Sequence, residues 1–267
     1  MAEPSTESPG TARVTGASSG IGLELARVLA ANGHPLVIVA RDGERLKAVG
    51  TQLQSECGVP VTRYAQDLAE PRAAEDLRAK LSKDHITVDV LVNNAGVGMY
   101  GELQDQSVEA LTRMQMINVV ALTNLTRLML PEMLARKHGR ILNVASVVGY
   151  QPGGPRMAVY YATKAYVLSF SKGLARELTG SGVSVTALCP GTTKSSFEER
   201  SGAQETRLYR FLPQMTARAV AMAGYRGMMA GRQVVIPGVT AKIVAFAGEL
   251  PPRTIALAVN NFLLKRV

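Results

Sequence analysis

One segment near the start of this chain constrains its fold more than any other. Thr15-Gly16-Ala17-Ser18-Ser19-Gly20-Ile21-Gly22 follows a short apolar stretch and opens a helical pattern. Leu23, Ala26, Val28, Leu29 and Ala30 continue that pattern to Asn32-Gly33, a stop signal. Pro35 to Ala40 then reads as a buried strand. In a strand, glycine turn, helix, strand unit, the glycines let backbone approach a pyrophosphate and the helix N-terminus offers free N–H groups. The spacing here is G-x-x-x-G-x-G rather than G-x-G-x-x-G.

The alternation continues downstream. The pattern predicts strands at 12–15, 35–40, 61–65, 88–93, 140–145, 183–188 and 233–236, and helices at 20–31, 43–56, 70–83, 107–137, 158–179 and 215–229. Strands alternating with helices imply an α/β fold of the Rossmann type, a doubly wound parallel sheet of about seven strands with helices on both faces. A single domain is expected over 11–238, with a polar, disordered terminus at 1–10 and a helical extension at 239–267. The terminus has neither a basic nor an apolar signal region.

The second informative pattern is chemical. Tyr160 and Lys164 stand four residues apart, fourteen residues after Ser146. On a helix that spacing puts phenol and ammonium on one face. A cation beside a phenol favours the phenolate and lowers its pKa, and a serine hydroxyl can hold the oxygen of a carbonyl or alcohol. The three groups suit proton transfer at a C–O bond. Tyr161 points about 100° away on the same helix. Taken alone, Y-x-x-x-K is also compatible with a half-buried tyrosine beside a solvated lysine.

Together these residues resemble the short-chain dehydrogenase/reductase family. The resemblance covers about residues 11–236 and rests on TGASSGIG at 15–22, Asp67-Leu68, Asn93-Asn94-Ala95-Gly96, Asn118, Ser146, Tyr160 with Lys164, and Pro190-Gly191. It implies an oxidoreductase acting on CH–OH and C=O groups, with Ser146 and Tyr160 binding the substrate oxygen, Tyr160 moving the proton and Lys164 holding the nicotinamide ribose. Asn118 is expected to position a water that relays protons to Lys164. Gly16, Ser18, Ser19, Gly20, Ile21 and Gly22 are expected at the pyrophosphate. Asp67, Leu68, Asn94 and Gly96 are expected around the adenosine, and Pro190, Gly191, Thr193 and Ser195 at the nicotinamide. Asp67 also suits a helix N-cap.

Cofactor choice is argued from the end of the second strand. NAD-using proteins carry a carboxylate there for the ribose hydroxyls. This chain has Ala40 and then Arg41, with Arg45 one turn on. A guanidinium suits a 2′-phosphate, so NADP(H) is expected over NAD(H). Asp42 is placed to cap the following helix.

Met99, Val148, Gln151, Arg156 and Phe197, with Ser146 and Tyr160, are expected to line the substrate pocket, joined by Val97 and Val147. Residues 196–215 are expected to form a lid. The mostly apolar set suggests a lipophilic ketone, aldehyde or secondary alcohol. A 3-oxoacyl-thioester reductase is the alternative, and a non-catalytic nucleotide sensor or scaffold is the alternative of another class.

Two features depart from the family pattern. Arg13 lies inside the first strand, where burial without a partner would be costly. It is expected either to find a partner at the sheet end or to distort the strand. The segment 239–267 extends past the last strand. Residues 200–267 carry 10 Lys/Arg against 2 Asp/Glu, whereas residues 1–199 carry 20 against 19, so nearly all of the +9 charge lies in the last 68 residues. Three readings of that tail compete: packing on the domain or another subunit, a peripheral membrane surface, and docking of an acidic carrier. Neither apolar run in it is long enough to span a bilayer. Few aromatics and no binding motif argue against nucleic acid. Cys57 and Cys189 lack ligand spacing and read as reduced thiols of a cytoplasmic protein, and no metal is expected. Family resemblance implies a homo-oligomer, dimer or tetramer, meeting through the helices at 107–137 and 158–179.

Overall fold

The computed structural model describes residues 9–267. The chain alternates β1 (Ala12–Thr15), α1 (Gly20–Ala31), β2 (Leu36–Ala40), α2 (Gly43–Cys57), β3 (Val61–Ala65), α3 (Ala73–Lys83), β4 (Val90–Asn93), α4 (Val108–Gln115), α5 (Leu122–Ala135), β5 (Gly139–Val144), α6 (Ala158–Glu177) and β6 (Val183–Leu188). The lid follows as β7 (Thr193–Lys194), α7 (Phe197–Ser201), α8 (Arg207–Phe211) and β8 (Met215–Thr216). The chain ends with α9 (Ala217–Met229), β9 (Val234–Val235), α10 (Val239–Glu249) and α11 (Arg253–Leu263).

Seven parallel strands form one sheet in the order β3-β2-β1-β4-β5-β6-β9. The central strands β1, β2 and β4 are buried at every position, which is why they read as nearly continuous apolar runs, while the edge strand β3 is partly exposed. One core joins the sheet to α1, α2 and α9 through Leu25, Leu29, Leu46, Leu53 and Val220. The opposite core uses Leu77, Leu81, Leu125, Met129 and Met133. Each fully buried leucine contributes about 1.5–3 kcal/mol. The order reverses between β1 and β4, so the loops after these strands part there and leave a crevice at their C-terminal ends.

Arg13 departs from both expectations. It is fully buried, β1 stays regular, and no side-chain nitrogen of Arg13 has a hydrogen-bond partner among the described residues. In register it lies between Val37 and Leu91, on the face that builds the second core. Burial pushes its guanidinium down to about 9, which still leaves a charge at neutral pH.

The expected helix at 107–137 contains a π-helical turn at Met116–Ala121 between α4 and α5. The helix expected from 70 begins at Ala73, so Asp67 is not its N-cap. Of the terminus expected to be disordered, residues 1–8 lie outside the described residues. Residues 9–10 pack on the loop after α1, where Gly10 carbonyl contacts His34 Nδ1 at 2.7 Å.

Candidate active site

The glycine loop is shaped by close approach. Gly16 and Gly20 take φ of +67° and +56°, a region that disfavours side chains. A Cβ on Gly22 would fall 2.3 Å from Gly16 carbonyl oxygen. Gly22 therefore seats α1 against the loop and does not line the cavity, unlike Gly16, Ser18, Ser19, Gly20 and Ile21. Asn94 braces the loop by donating from Nδ2 to Thr15 O at 2.9 Å, while Thr15 Oγ1 accepts from the amides of Asn94 and Ala95. Ser19 caps α1 without a side-chain bond, so the first amides of the helix stay free for an anion.

At the outer end of the cavity stand Arg41 and Arg45, with Asp42 capping α2 through the Arg45 amide. Leu68 lines the same end. Arg113, absent from the sequence reading, pairs with Asp67 at 2.6 Å. Burial raises the Asp67 pKa, but the Ala69 amide and Arg113 outweigh it and hold the carboxyl below its ordinary range.

Tyr160, Lys164, Ser146 and Asn118 converge at the inner end, all nine-tenths or more buried. The sequence expected Lys164 to lower the pKa of the phenol, and burial of the ring works against that effect. Lys164 Nζ donates to Val144 O at 2.8 Å and lies 5.9 Å from the Tyr160 ring centroid. Burial, and then Tyr209, push the Tyr160 phenol well above its ordinary value, and the Ser146 hydroxyl only partly offsets them. Burial brings Lys164 down to about 8. Ser146 is held by the Val148 amide and by Pro190 O. Asn118 clamps Val97 in both directions at 2.9 Å and donates to Thr163 Oγ1. Its side chain bonds across to another element, not to its own helix.

The cavity encloses about 670 Å³. Gly96, Pro190, Gly191, Thr193 and Ser195 line its middle, and Val97, Val147, Val148, Tyr161 and Phe197 its substrate end. Ser195 Oγ also accepts from the Phe197 amide. Three expected lining residues do not reach it. Gln151 donates to Val244 O at 2.6 Å and receives Asn260 Nδ2, tying α10 and α11 to the loop. Arg156 pairs with Glu102 at 2.9 Å. Met99 packs into a small core with Tyr160, Met157 and Leu264. Their places are taken by Leu208, Tyr209, Leu212, Val244, Asn260 and Leu263 from the lid and tail. The tail is joined to the loop after β4 by Tyr100 Oη to Leu264 O at 2.6 Å, and to the lid by the Arg207 amide to Lys265 O. Burial pattern and spacing carried no signal for these residues, because their contacts cross long stretches of chain.

These features fit a dinucleotide: a cradle that side chains would fill, free helix amides, cations at one end, and a phenol, a hydroxyl and an ammonium at the other. A family model described as short chain dehydrogenase matches residues 10–206. A short chain dehydrogenase of Pseudocercospora fijiensis (strain CIRAD86) is 36% identical over 187 residues, 69% of this chain and 60% of that protein. Among solved structures, a short-chain dehydrogenase from Sphingobium yanoikuyae in complex with NADPH is 35% identical with a TM-score of 0.80, covering 90% of this chain and 92% of that one. A short chain dehydrogenase/reductase from Burkholderia phymatum in complex with NAD is 26% identical with a TM-score of 0.80, covering 90% and 93%.

Proposed function

The chain belongs to the short-chain dehydrogenase family and is an oxidoreductase, and from that premise we propose that it interconverts a lipophilic ketone or aldehyde and its alcohol with NADP(H). One observation carries the reading: a single cavity joins the arginine-lined end to Tyr160 through the glycine loop, and its far wall is apolar. Arg41 supports NADP(H) over NAD(H), because a guanidinium, unlike a carboxylate, attracts a 2′-phosphate.

When bound, the nicotinamide supplies hydride. Ser146 Oγ and Tyr160 Oη hold the carbonyl oxygen. Tyr160, protonated at neutral pH as an ordinary phenol is, is the proton donor to the forming alkoxide. Lys164 places a buried positive charge beneath the site, where low dielectric strengthens its effect. Asn118 fixes the strand-to-loop backbone at Val97 and so keeps Gly96 close to Lys164; a Cβ on Gly96 would meet both Lys164 Nζ and Asn118 Oδ1 at 3.4 Å.

The test is nucleotide binding, NADPH against NADH, followed by cofactor oxidation across lipophilic ketones, aldehydes and acyl thioesters. Tight NADPH binding with ketone turnover is expected. Turnover of acyl thioesters alone would replace this reading with the 3-oxoacyl alternative, and binding without any turnover would favour a sensor. Tyr160→Phe should lower kcat by about 10²–10⁴ and leave the NADPH Kd unchanged.

A homo-oligomer, dimer or tetramer through α4, α5 and α6 is the assembly we assign, supported by the stacked and partly exposed Tyr166 and Phe170 on α6. No described helix is long and apolar enough to cross a membrane. A peripheral contact is supported instead by the outer face of α10 and α11. Ile243, Phe246, Ile255 and Phe262 are each more than half exposed there, beside the exposed Lys242 and Arg253. A second copy on this face would set like charges together, whereas an anionic lipid surface would complement both components.

A further inference from the structure

The lid carries a cation that its own packing does not use. Arg200, on α7, reaches across the cavity mouth and donates from Nη1 to Ser19 Oγ in the glycine loop at 3.4 Å. Arg41, Arg45 and Arg200 line the cavity together with Ser18 and Ser19. None of the three guanidiniums forms an ion pair among the described residues. Desolvation, followed by Arg45 and Arg41, holds Arg200 below the ordinary arginine value. Like charges gathered at one rim repel one another, and an anion between them turns that repulsion into charge-assisted hydrogen bonds.

The same short helix reaches the chemistry. Phe197, three residues before Arg200, places its ring 5.3 Å from that of Tyr160. It also packs so tightly on Gly98 that a Cβ there would stand 2.5 Å from Phe197 Cζ. One turn of α7 therefore spans from the arginine-lined rim to the substrate side of Tyr160.

We propose that Arg200 completes, with Arg41 and Arg45, a subsite for the adenosine 2′-phosphate, and that a dianion bound there holds α7 down so that Phe197 closes the substrate end over Tyr160. The subsite rests on the NADP(H) reading and adds to it a coupling: the phosphate that distinguishes the two cofactors also orders the substrate wall. Arg200 acts on the substrate end as a positioning residue, through α7.

The experiment compares the full chain with Arg200→Gln and Arg200→Lys. Arg200 is exposed, so neither change disturbs the core. Calorimetry should show the NADPH Kd rising about tenfold in Arg200→Gln, with that of NADH within about twofold, and Arg200→Lys recovering part of the loss. Hydrogen exchange should show protection of residues 197–211 by 2′,5′-ADP in the unaltered chain. That protection should be absent with 5′-AMP and absent in Arg200→Gln. At saturating NADPH, Arg200→Gln should raise the carbonyl KM more than it lowers kcat, and Phe197→Ala should do the same without weakening NADPH. Equal weakening of NADPH and NADH would assign Arg200 to the shared pyrophosphate and overturn the proposal. Unchanged binding of both would reduce Arg200 to a surface charge. An unaltered chain that binds NADH as tightly as NADPH would overturn the NADP(H) reading itself, and this proposal with it.

Discussion

At the scale of single residues, burial decides more than charge pairing. Arg13 is a buried cation without a partner, set between Val37 and Leu91. Replacing such a charge by an apolar side chain removes a desolvation cost, so Arg13→Leu should raise stability by about 1–4 kcal/mol, measured as a higher Tm. Its folded pKa, about 9, lies below the ordinary value of 12.5. Between those values the unfolded chain binds more protons, so the penalty is complete below pH 9 and fades above it; the gain from Arg13→Leu should shrink accordingly. A lower Tm at pH 7 would show that the guanidinium stabilises the core after all. Lys164 gives a functional counterpart. Burial lowers it to about 8 while Tyr160 is raised, so carbonyl reduction should decline as pH rises through about 8, when Lys164 loses its charge. A pH–rate profile flat to pH 10 would remove Lys164 charge from the mechanism.

At the scale of elements, the glycine loop, α1, the strands and the α6 face were legible in the sequence, because period and spacing report local geometry directly. The π turn at Met116–Ala121 was not: one extra residue in a turn leaves the apolar pattern of a long helix nearly unchanged. Nor was the tail legible as a wall of the cavity. Gly248 on α10 lies so near the preceding loop that a Cβ would stand 2.4 Å from Gln151 Nε2 and 2.6 Å from Tyr150 O. Gly248→Val should therefore push α10 outward, breaking the bond from Gln151 to Val244. The KM for lipophilic carbonyls should rise several-fold and by more than the NADPH Kd, because α10 meets the cofactor side only where Ala241 packs on Gly191. A matching loss of NADPH affinity would mean that the two ends of the cavity are not independent.

At the scale of the whole molecule, apolar exposure is concentrated on the tail, which also carries Lys242, Arg253, Lys265 and Arg266 against the single acid Glu249. The chain should float with anionic vesicles and not with neutral phosphatidylcholine ones, and Phe246→Glu with Phe262→Glu should abolish flotation without changing turnover of a water-soluble carbonyl. Sedimentation free of anionic vesicles would leave the face to another partner. The sequence by itself determined the α/β alternation, the nucleotide loop and the identities of Asn118, Ser146, Tyr160 and Lys164, because each is written in local spacing or residue type. Only the tertiary structure decided that Lys164 donates to Val144 O while standing over the Tyr160 ring, that Gln151 and Arg156 serve the scaffold, and that Arg200, Tyr209 and Asn260 reach the cavity. Those outcomes depend on distances between segments far apart in the chain, and on burial, which no local pattern records.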